Sequence, residues 1–410
     1  MWAPRLAATI ILLAAMTGQA TAQDAETGIA LPITITGGAL YSHRMQGDEA
    51  TAGPLAGAFH ATFSPSLRLS DHWFAYASIQ LRSTPFYYYD AFEADHNFDL
   101  QAVQAFIGYT ATYKSVTLLV KAGQLTTAFG TFPLHYDDND NALLDQPLSY
   151  STYLKLPSIP TNCNSVQSAG GAWAGTSCGS SQGDDYGLTP VTLWGLPGVE
   201  VDLSSHRVDV RFQLTSSSPA NPQNLLSSSQ FAQWTAGGGY TIVQGFRVGG
   251  SVFRGPYLDR TAAASLPIGK TLGDFPATGA GLDAQWAHGR WSTSGEWQWF
   301  RFDCPGFRIS PTASIAYAEV KAVLTPRIYA ALRVADQRNG QVADLTQQAS
   351  EPFEANVQAY EFALGYRPNR WQLLKIGYEW LRTKDVPGTR DNVLGLELAT
   401  NIRPLSKAWR

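Results

Sequence analysis

Residues 116–150 read VTLLVKAGQLTTAFGTFPLHYDDNDNALLDQPLSY, and the fold can be inferred from this stretch. It begins with an alternating segment of the kind that forms β-strands. A Phe-Gly pair follows at 129–130, then an acidic run at 137–140, and regular alternation does not return until about residue 189. Because connections between short strands are rarely this long, the segment 124–189 is expected to have a function of its own.

Alternating segments also lie on both sides of this stretch. In 290–299, for example, three tryptophans share one face of the predicted strand, whereas Glu296 and Gln298 lie on the other. Most segments are near the 9–11 residues that a tilted strand needs to cross a bilayer. We predict sixteen strands, at 31–42, 56–67, 72–82, 100–112, 115–123, 190–203, 206–216, 230–242, 245–254, 277–287, 289–301, 312–324, 326–336, 357–367, 370–382 and 391–403.

The connections between these strands alternate between short and long. After even-numbered strands the chain turns within a few polar residues, as at 113–115 and 368–370, whereas most connections after odd-numbered strands are longer and rich in Gly, Ser, Pro and Asp. This asymmetry is typical of outer-membrane barrels, whose turns and termini face the periplasm. The predicted fold is therefore all-β, a transmembrane antiparallel β-barrel of about sixteen strands, with the long loop 124–189 folded into the lumen.

The first 22 residues have the features of a cleaved secretory signal peptide. Arg5 precedes an apolar core at 6–16, and the small residues Ala-Thr-Ala stand at 20–22. The apolar core is shorter than the roughly 20 residues that a transmembrane helix needs. We therefore expect export to the outer membrane, with residues 23–410 forming a single barrel domain, since no linker or composition shift divides them.

Composition agrees with a barrel in contact with lipid. The chain holds 12 Trp, 18 Tyr and 19 Phe, whereas charged residues make up 15%. Many aromatic residues without a long apolar run suit the aromatic girdles of such barrels. The formal net charge of −4 argues against a nucleic-acid partner, which would require a basic face.

The segment KAGQL at 121–125, leading to AFG at 128–130 and then to a long excursion, resembles the strand-and-loop element of the phosphate-selective porin family. In that family a Gly-rich strand end precedes a Phe-Gly pair, and the loop folds inward. The resemblance implies a sixteen-strand porin that forms a homotrimer, but it identifies no substrate. The sequence departs from the family in two respects: it has no ladder of basic residues that would draw phosphate, and it ends KAWR at 407–410 rather than in an aromatic residue.

Residues of the long loop are candidates for the narrowest part of the pore, because rings of fixed charge at that point set selectivity. These constriction candidates are Phe129, Asp137, Asp138, Asp140 and Asp145. Alternation also places charged residues on the wall of the lumen: Lys121, Arg207, Asp209, Arg211, Arg247, Glu296, Glu319, Lys321, Arg333, Glu361, Lys375 and Glu379. With Asp283 and Glu397 included, basic and acidic wall residues balance, so the acidic loop is expected to favour cations or neutral, hydroxyl-rich solutes.

A solvated acidic loop that binds nothing, or that holds Ca²⁺ weakly, is the alternative interpretation of this run. As a calcium site it departs from EF-hand spacing, because Ala142 stands where glycine is required and Leu148 where glutamate is required. No Cys or His lies at metal-ligand spacing from another. We therefore expect neither a metal nor a cofactor.

Cys163 and Cys178 flank a Gly/Ser/Ala-rich segment of an exported chain, so a local disulfide between them is expected. The sequence predicts an outer-membrane porin, not an enzyme, whose partners are membrane lipid and small hydrophilic solutes. The alternative is a secreted, soluble all-β carbohydrate-binding protein or glycosidase, because alternation alone does not distinguish a lipid-facing strand from one in a soluble sandwich.

Overall fold

The structure is a computed structural model that describes residues 28–42, 55–83, 98–135, 138–152, 154, 189–191, 193–216, 218, 232–258, 263, 266–305, 307–344, 350–383 and 390–402. The predicted signal peptide, the cysteine pair Cys163 and Cys178, and Asp137 lie outside these residues. No helix in the described ranges is long and apolar enough to cross a membrane.

Sixteen long strands form the main sheet. They are β1 Ile33–Ser42, β2 Leu55–Phe63, β3 Trp73–Ser83, β4 Phe98–Tyr113, β5 Val116–Leu125, β6 Leu196–Ser204, β7 Val208–Thr215, β8 Gln233–Val243, β9 Phe246–Pro256, β10 Pro276–His288, β11 Trp291–Phe302, β12 Thr312–Thr325, β13 Ile328–Asn339, β14 Val357–Asn369, β15 Gln372–Thr383 and β16 Arg390–Ile402.

Each strand pairs antiparallel with its neighbours in sequence, and the last strand pairs with the first. Ile33 of β1 is in register with Phe63 of β2 on one side and with Ile402 of β16 on the other. The sheet is therefore a closed barrel without free edges, and the prediction of a sixteen-strand antiparallel barrel is confirmed.

One predicted strand ends earlier than expected, and another begins later. The predicted strand 56–67 ends at Phe63, because Pro65 has no N–H to donate to the sheet. The short strand Ser66–Arg68 follows and pairs with Ile29–Ala30 instead. The predicted strand 190–203 begins only at Leu196, after Gly195, whose φ of 81° is incompatible with extended backbone.

The remaining described elements are short and lie in the connections. A small antiparallel sheet joins Phe307–Ile309, Gln341–Asp344 and Glu351–Pro352 beyond the loop end of the barrel. The 3₁₀ turns Phe132–His135 and Leu272–Asp274 and the helical turn Leu148–Ser151 complete the set.

The two faces of the strands differ in the way that a membrane barrel requires. On β7, Val208, Val210 and Phe212 point outward and are exposed, whereas Gln213 is fully buried inside the barrel. A water-soluble sandwich would bury such apolar side chains against a second sheet. Here the apolar face is the outer surface of a closed barrel, as in proteins whose barrels face lipid.

Candidate functional site

The connection between β5 and β6, residues 126–195, is called the inward loop, because its described part lies inside the barrel. Phe129 is fully buried and packs edge-on against Phe253, with ring centroids 5.0 Å apart. Gly130 follows with φ 74°, and a Cβ at this position would lie only 1.9 Å from the Tyr150 hydroxyl oxygen. The prediction that the long loop folds into the lumen is confirmed.

Glu296 of β11 fastens the loop at a first point. Its Oε1 accepts hydrogen bonds from the Phe132 N–H (2.8 Å) and from the Thr131 hydroxyl (3.0 Å) and N–H (3.2 Å). Its Oε2 accepts one from the Tyr150 hydroxyl at 2.8 Å. Two donors from the wall complete the set, the Tyr317 hydroxyl (2.7 Å) and the Gln298 amide (2.7 Å). One buried carboxylate thus joins two separate parts of the inward loop to the wall.

Asp138 fastens the loop at a second point, next to β1 and β2. Its Oδ2 accepts a hydrogen bond of 2.6 Å from the Thr36 hydroxyl and lies 2.8 Å from Nδ1 of His60. Burial alone would raise the pKa of Asp138, but His60, the nearby Lys375 ammonium and the Thr36 hydroxyl together hold this pKa below its usual value. Asp138 therefore carries a buried, compensated negative charge.

Lys375 of β15 is buried and donates into the turn that follows Asp138. Its Nζ lies 3.0 Å from the carbonyl oxygens of Asp138 and Leu143, and 3.5 Å from that of Asn141. Glu397 of β16 supplies the opposite charge at 2.7 Å. Because a buried ammonium is stable only when its donors and its charge are matched, the turn 138–143 and this lysine hold each other in place.

A third point of attachment lies on β13 and β14. Glu361 accepts hydrogen bonds from the N–H groups of Leu144 (2.7 Å) and Asp145 (3.1 Å). Arg333 donates to the Asp145 carbonyl oxygen (2.8 Å) and to Oε2 of Glu361 (3.0 Å). Side chains from the wall thus replace the secondary structure that this stretch of loop lacks.

Apolar packing fixes the same stretch. Gly377 of β15 and Gly395 of β16 are register partners, and the Leu144 side chain rests against both. A Cβ on either glycine would lie 2.6 Å from Cδ1 of Leu144, which is too close for a carbon contact. The two glycines therefore form the recess that admits Leu144.

Basic side chains of the wall lie between carboxylates. The shared arrangement is one cation with two acidic neighbours on nearby strands: Lys121 with Glu200 (2.6 Å) and Asp202 (2.9 Å), Arg247 with Asp209 (2.7 Å) and Asp283 (2.7 Å), and Arg333 with Glu319 (2.9 Å) and Glu361 (3.0 Å).

The other candidates from the sequence have different surroundings. Arg211 donates to the Gly130 carbonyl oxygen at 3.1 Å, and Lys321 lies over the Tyr329 ring, 4.4 Å from its centroid. Arg207 is exposed at the turn before β7, and Asp140 is exposed on the inward loop. Glu379 faces inward opposite Glu361 in the register and makes no ion pair among the described residues.

The balance of charge differs from the sequence-based count. Glu200 and Asp202 also point inward, since Val199 and Leu203 beside them are exposed on the outer face. Their alternation with valine and leucine was the signal that could have identified them. Together with Asp138, Asp140 and Asp145 of the inward loop, they make carboxylates outnumber basic side chains in the described lumen. Arg367 of β14 also points inward, where it donates to the Asn139 carbonyl oxygen at 3.0 Å. The excess of carboxylates therefore comes mainly from the inward loop, and the expected balance of charge on the wall stays a prediction.

Toward the loop end, the interior of the barrel is lined by apolar instead of polar side chains. Phe253, Phe300 and Phe302 point inward near the ends of their strands and are fully buried, or nearly so. They form one apolar cluster with side chains of the inward loop and the outer connections, among them Phe129, Leu154, Trp194, Tyr257, Val342 and Phe353. The polar and charged wall residues lie nearer the turn end.

Most residues that hold the inward loop were missed by the sequence interpretation. His60 and Asp138 are 78 positions apart, and Tyr150 and Glu296 are 146 apart. The sequence shows no periodicity that links such pairs, because only closure of the barrel brings them together.

His60 also lies 3.1 Å from the Thr62 hydroxyl through its Nε2, so acid, imidazole and hydroxyl stand in the order found in hydrolytic triads. However, the Gln80 side-chain amide contacts the same ring nitrogen. The imidazole is therefore engaged on both nitrogens by groups of the wall and the loop. We assign this cluster to fastening the loop.

Comparisons with known proteins agree on the architecture. No family model and no curated protein matches the sequence. Among solved structures, the chain is similar to the anion-selective porin from Comamonas acidovorans (TM-score 0.55, 9% identity, covering 91% of this chain and 99% of that one). It is also similar to the outer membrane channel DcaP of Acinetobacter baumannii (TM-score 0.53, 12% identity, 91% and 97%) and to OmpT of Vibrio cholerae in its trimer form (TM-score 0.52, 8% identity, 91% and 99%). At these identities the likeness concerns the fold: the chain has the architecture of outer-membrane porins.

Proposed function

We propose that this chain is an outer-membrane channel through which small hydrophilic solutes diffuse passively, without enzyme chemistry or a cofactor. The observation that carries the proposal is the inward loop, which crosses the lumen and is fastened to the wall by Glu296, Lys375 and Glu361. A rigid loop inside a barrel narrows the passage and puts fixed groups beside whatever passes. Contacts to several strands support a permanent constriction.

We propose further that the channel prefers cations or neutral solutes. In the described lumen, carboxylates exceed basic side chains, and fixed negative charge raises the local concentration of cations. The resemblance to phosphate-selective porins would imply the opposite preference. However, Lys121, Arg247 and Arg333 each lie between two carboxylates, so they present little net positive charge to an anion.

We also propose that the chain forms a homotrimer. The porin architecture and the trimer form of the Vibrio cholerae OmpT structure support it. Cross-linking in detergent followed by electrophoresis would show a trimer band if the proposal holds, and a monomer at every cross-linker concentration would contradict it.

The function is tested by purification and by electrical recording. The mature chain should fractionate with outer membranes and resist SDS until boiled. In a planar bilayer under a KCl gradient, it should form channels whose reversal potential indicates cation preference, weakening as salt screens the fixed charges. Recovery as a soluble protein without detergent would contradict the channel and favour a secreted carbohydrate-binding protein or glycosidase. Anion preference would contradict the selectivity alone.

A further inference from the structure

The short turns at one end of the barrel carry a ring of basic residues. Six of the seven turns contribute one each: Arg68, Lys114, Arg207, Arg290, Arg327 and Arg370, all exposed. Asp71 is the single acidic residue in these seven described turns, and its carboxylate forms an ion pair of 2.8 Å with Arg68. Among the described residues, the other five basic side chains make no ion pair.

The opposite end of the barrel differs. Three exposed basic side chains there have carboxylates beside them: Lys270 with Asp274 (3.4 Å), Arg301 with Asp303 (2.8 Å) and Arg338 with Asp336 (2.7 Å). Arg254 and Arg382, which are exposed on the strands near that end, make no ion pair among the described residues, so uncompensated basic side chains are concentrated at the turn end rather than confined to it. The three ion pairs also supply a matched control for any test of the ring.

Aromatic side chains give the level of the ring relative to a membrane. Next to the turns, exposed aromatic residues point outward from the strands: Trp73, Tyr113, Tyr240, Trp286, Trp291, Tyr366 and Trp371. Two of the basic groups lie over them, Arg370 at 4.5 Å from the Trp371 ring centroid and Lys114 at 5.3 Å from that of Tyr113. Aromatic belts sit at the headgroup level of a bilayer, so the basic ring lies at the depth of the lipid phosphates.

We propose that this ring binds the phosphate groups of anionic phospholipids in the leaflet that the turns face. This inference rests on the proposed insertion into a membrane, not on conduction or selectivity. Guanidinium groups bind phosphate oxygens in pairs, and basic residues near a bilayer surface attract anionic lipid. The basic residues follow the circumference of the barrel. Lipids surround a barrel on all sides, whereas a docked acidic protein would require a patch on one side.

The test measures lipid selectivity in reconstituted protein. The full-length mature chain is placed in phosphatidylcholine bilayers that contain brominated phosphatidylglycerol, and tryptophan quenching gives the association of this lipid relative to brominated phosphatidylcholine. The wild type should prefer phosphatidylglycerol by roughly threefold at low salt, and the preference should fall toward one in high salt. The triple variant Arg290→Gln, Arg327→Gln, Arg370→Gln should lose most of this preference for phosphatidylglycerol.

The control triple variant, Lys270→Gln, Arg301→Gln, Arg338→Gln, removes the same number of charges at the other end and should retain the preference. Both variants must show SDS resistance that is lost on boiling, which verifies the barrel. No preference in the wild type, as expected if an acidic protein occupied the ring, would overturn the proposal, as would equal losses in the two variants. A protein that prefers phosphatidylglycerol yet conducts no ions would contradict the channel function and leave this inference standing.

Discussion

The Tyr150 hydroxyl donates a hydrogen bond of 2.8 Å to the Glu296 carboxylate, which also accepts from Thr131 and Phe132. This contact joins the two arms of the inward loop, nineteen positions apart, at one buried point on the wall. The position of the loop thus depends on a few side chains of the barrel, and single substitutions should alter it.

Replacement of Glu296 by alanine should release the loop. Each buried donor left without a partner costs about 1–3 kcal/mol, and Thr131, Phe132, Tyr150 and Tyr317 all donate to this carboxylate. Single-channel recordings should show higher conductance and more current noise. Ser294→Ala, on the same inward face of β11, is the control and should behave like the wild type. Unaltered conductance in Glu296→Ala would show that this anchor does not position the loop.

The Leu144 recess predicts non-additive effects on stability. Gly377→Val would place carbon atoms where the Leu144 side chain lies and should lower the free energy of unfolding by about 1–3 kcal/mol. Leu144→Ala in the same chain should restore part of this loss, because contacting residues couple. Urea unfolding in detergent measures the free energy of unfolding of the single variant and of the double variant. Gly57→Ala, which meets no atom within 4 Å, is the control. Strictly additive losses would argue against the contact.

The Asp138 anchor predicts resistance to acid. Because the folded protein lowers the pKa of Asp138 from its ordinary 3.8, the stabilisation is present above that value and is lost as the pH falls through the lower, folded pKa. His60, Lys375 and Glu397 are the other charged or titratable groups facing it. The difference in the free energy of unfolding between the wild type and Asp138→Asn, measured by urea unfolding in detergent, should therefore stay constant from pH 7 to about pH 4 and shrink below it, where the wild-type carboxyl becomes protonated. A difference that persists unchanged at lower pH would contradict this anchor.

A carboxylate without an ion pair should contribute to selectivity. Asp140 is exposed on the inward loop and makes no ion pair among the described residues. The variant Asp140→Asn should move the reversal potential toward zero under a KCl gradient, most clearly at low salt. Asp71→Asn removes a carboxylate outside the lumen and should have little effect. Unchanged selectivity in Asp140→Asn would place this carboxylate away from the path of ions.

The expected disulfide between Cys163 and Cys178 can be examined by thiol labelling. In unfolded, unreduced protein one cysteine per chain should react, and after reduction all three should. Reaction of three at the outset would contradict the disulfide. Closure of this loop stabilises by about 3 kcal/mol in the chain-entropy model, and a smaller gain is expected if the loop unfolds separately from the barrel.

Strand number, strand direction and the side of the turns were determined by the sequence alone. Alternation of apolar and polar residues repeats every two positions, so it is a local property that survives in the linear chain. The same is true of turn chemistry, which explains why sixteen strands could be located to within a few residues. The predicted strand boundaries were wrong where a single residue interrupts the sheet, as at Pro65 and Gly195.

The arrangement inside the lumen was decided by tertiary structure. Asp138 looked like a free carboxylate in an acidic run, but barrel closure places Thr36 and His60 beside it and buries it. Leu144 looked unremarkable until two glycines from neighbouring strands formed its recess. An irregular loop has no periodicity, and its partners lie up to 237 positions away along the chain. Whether a charge is exposed or compensated therefore depends on which strands the closed sheet brings together, and this is a property of the folded barrel.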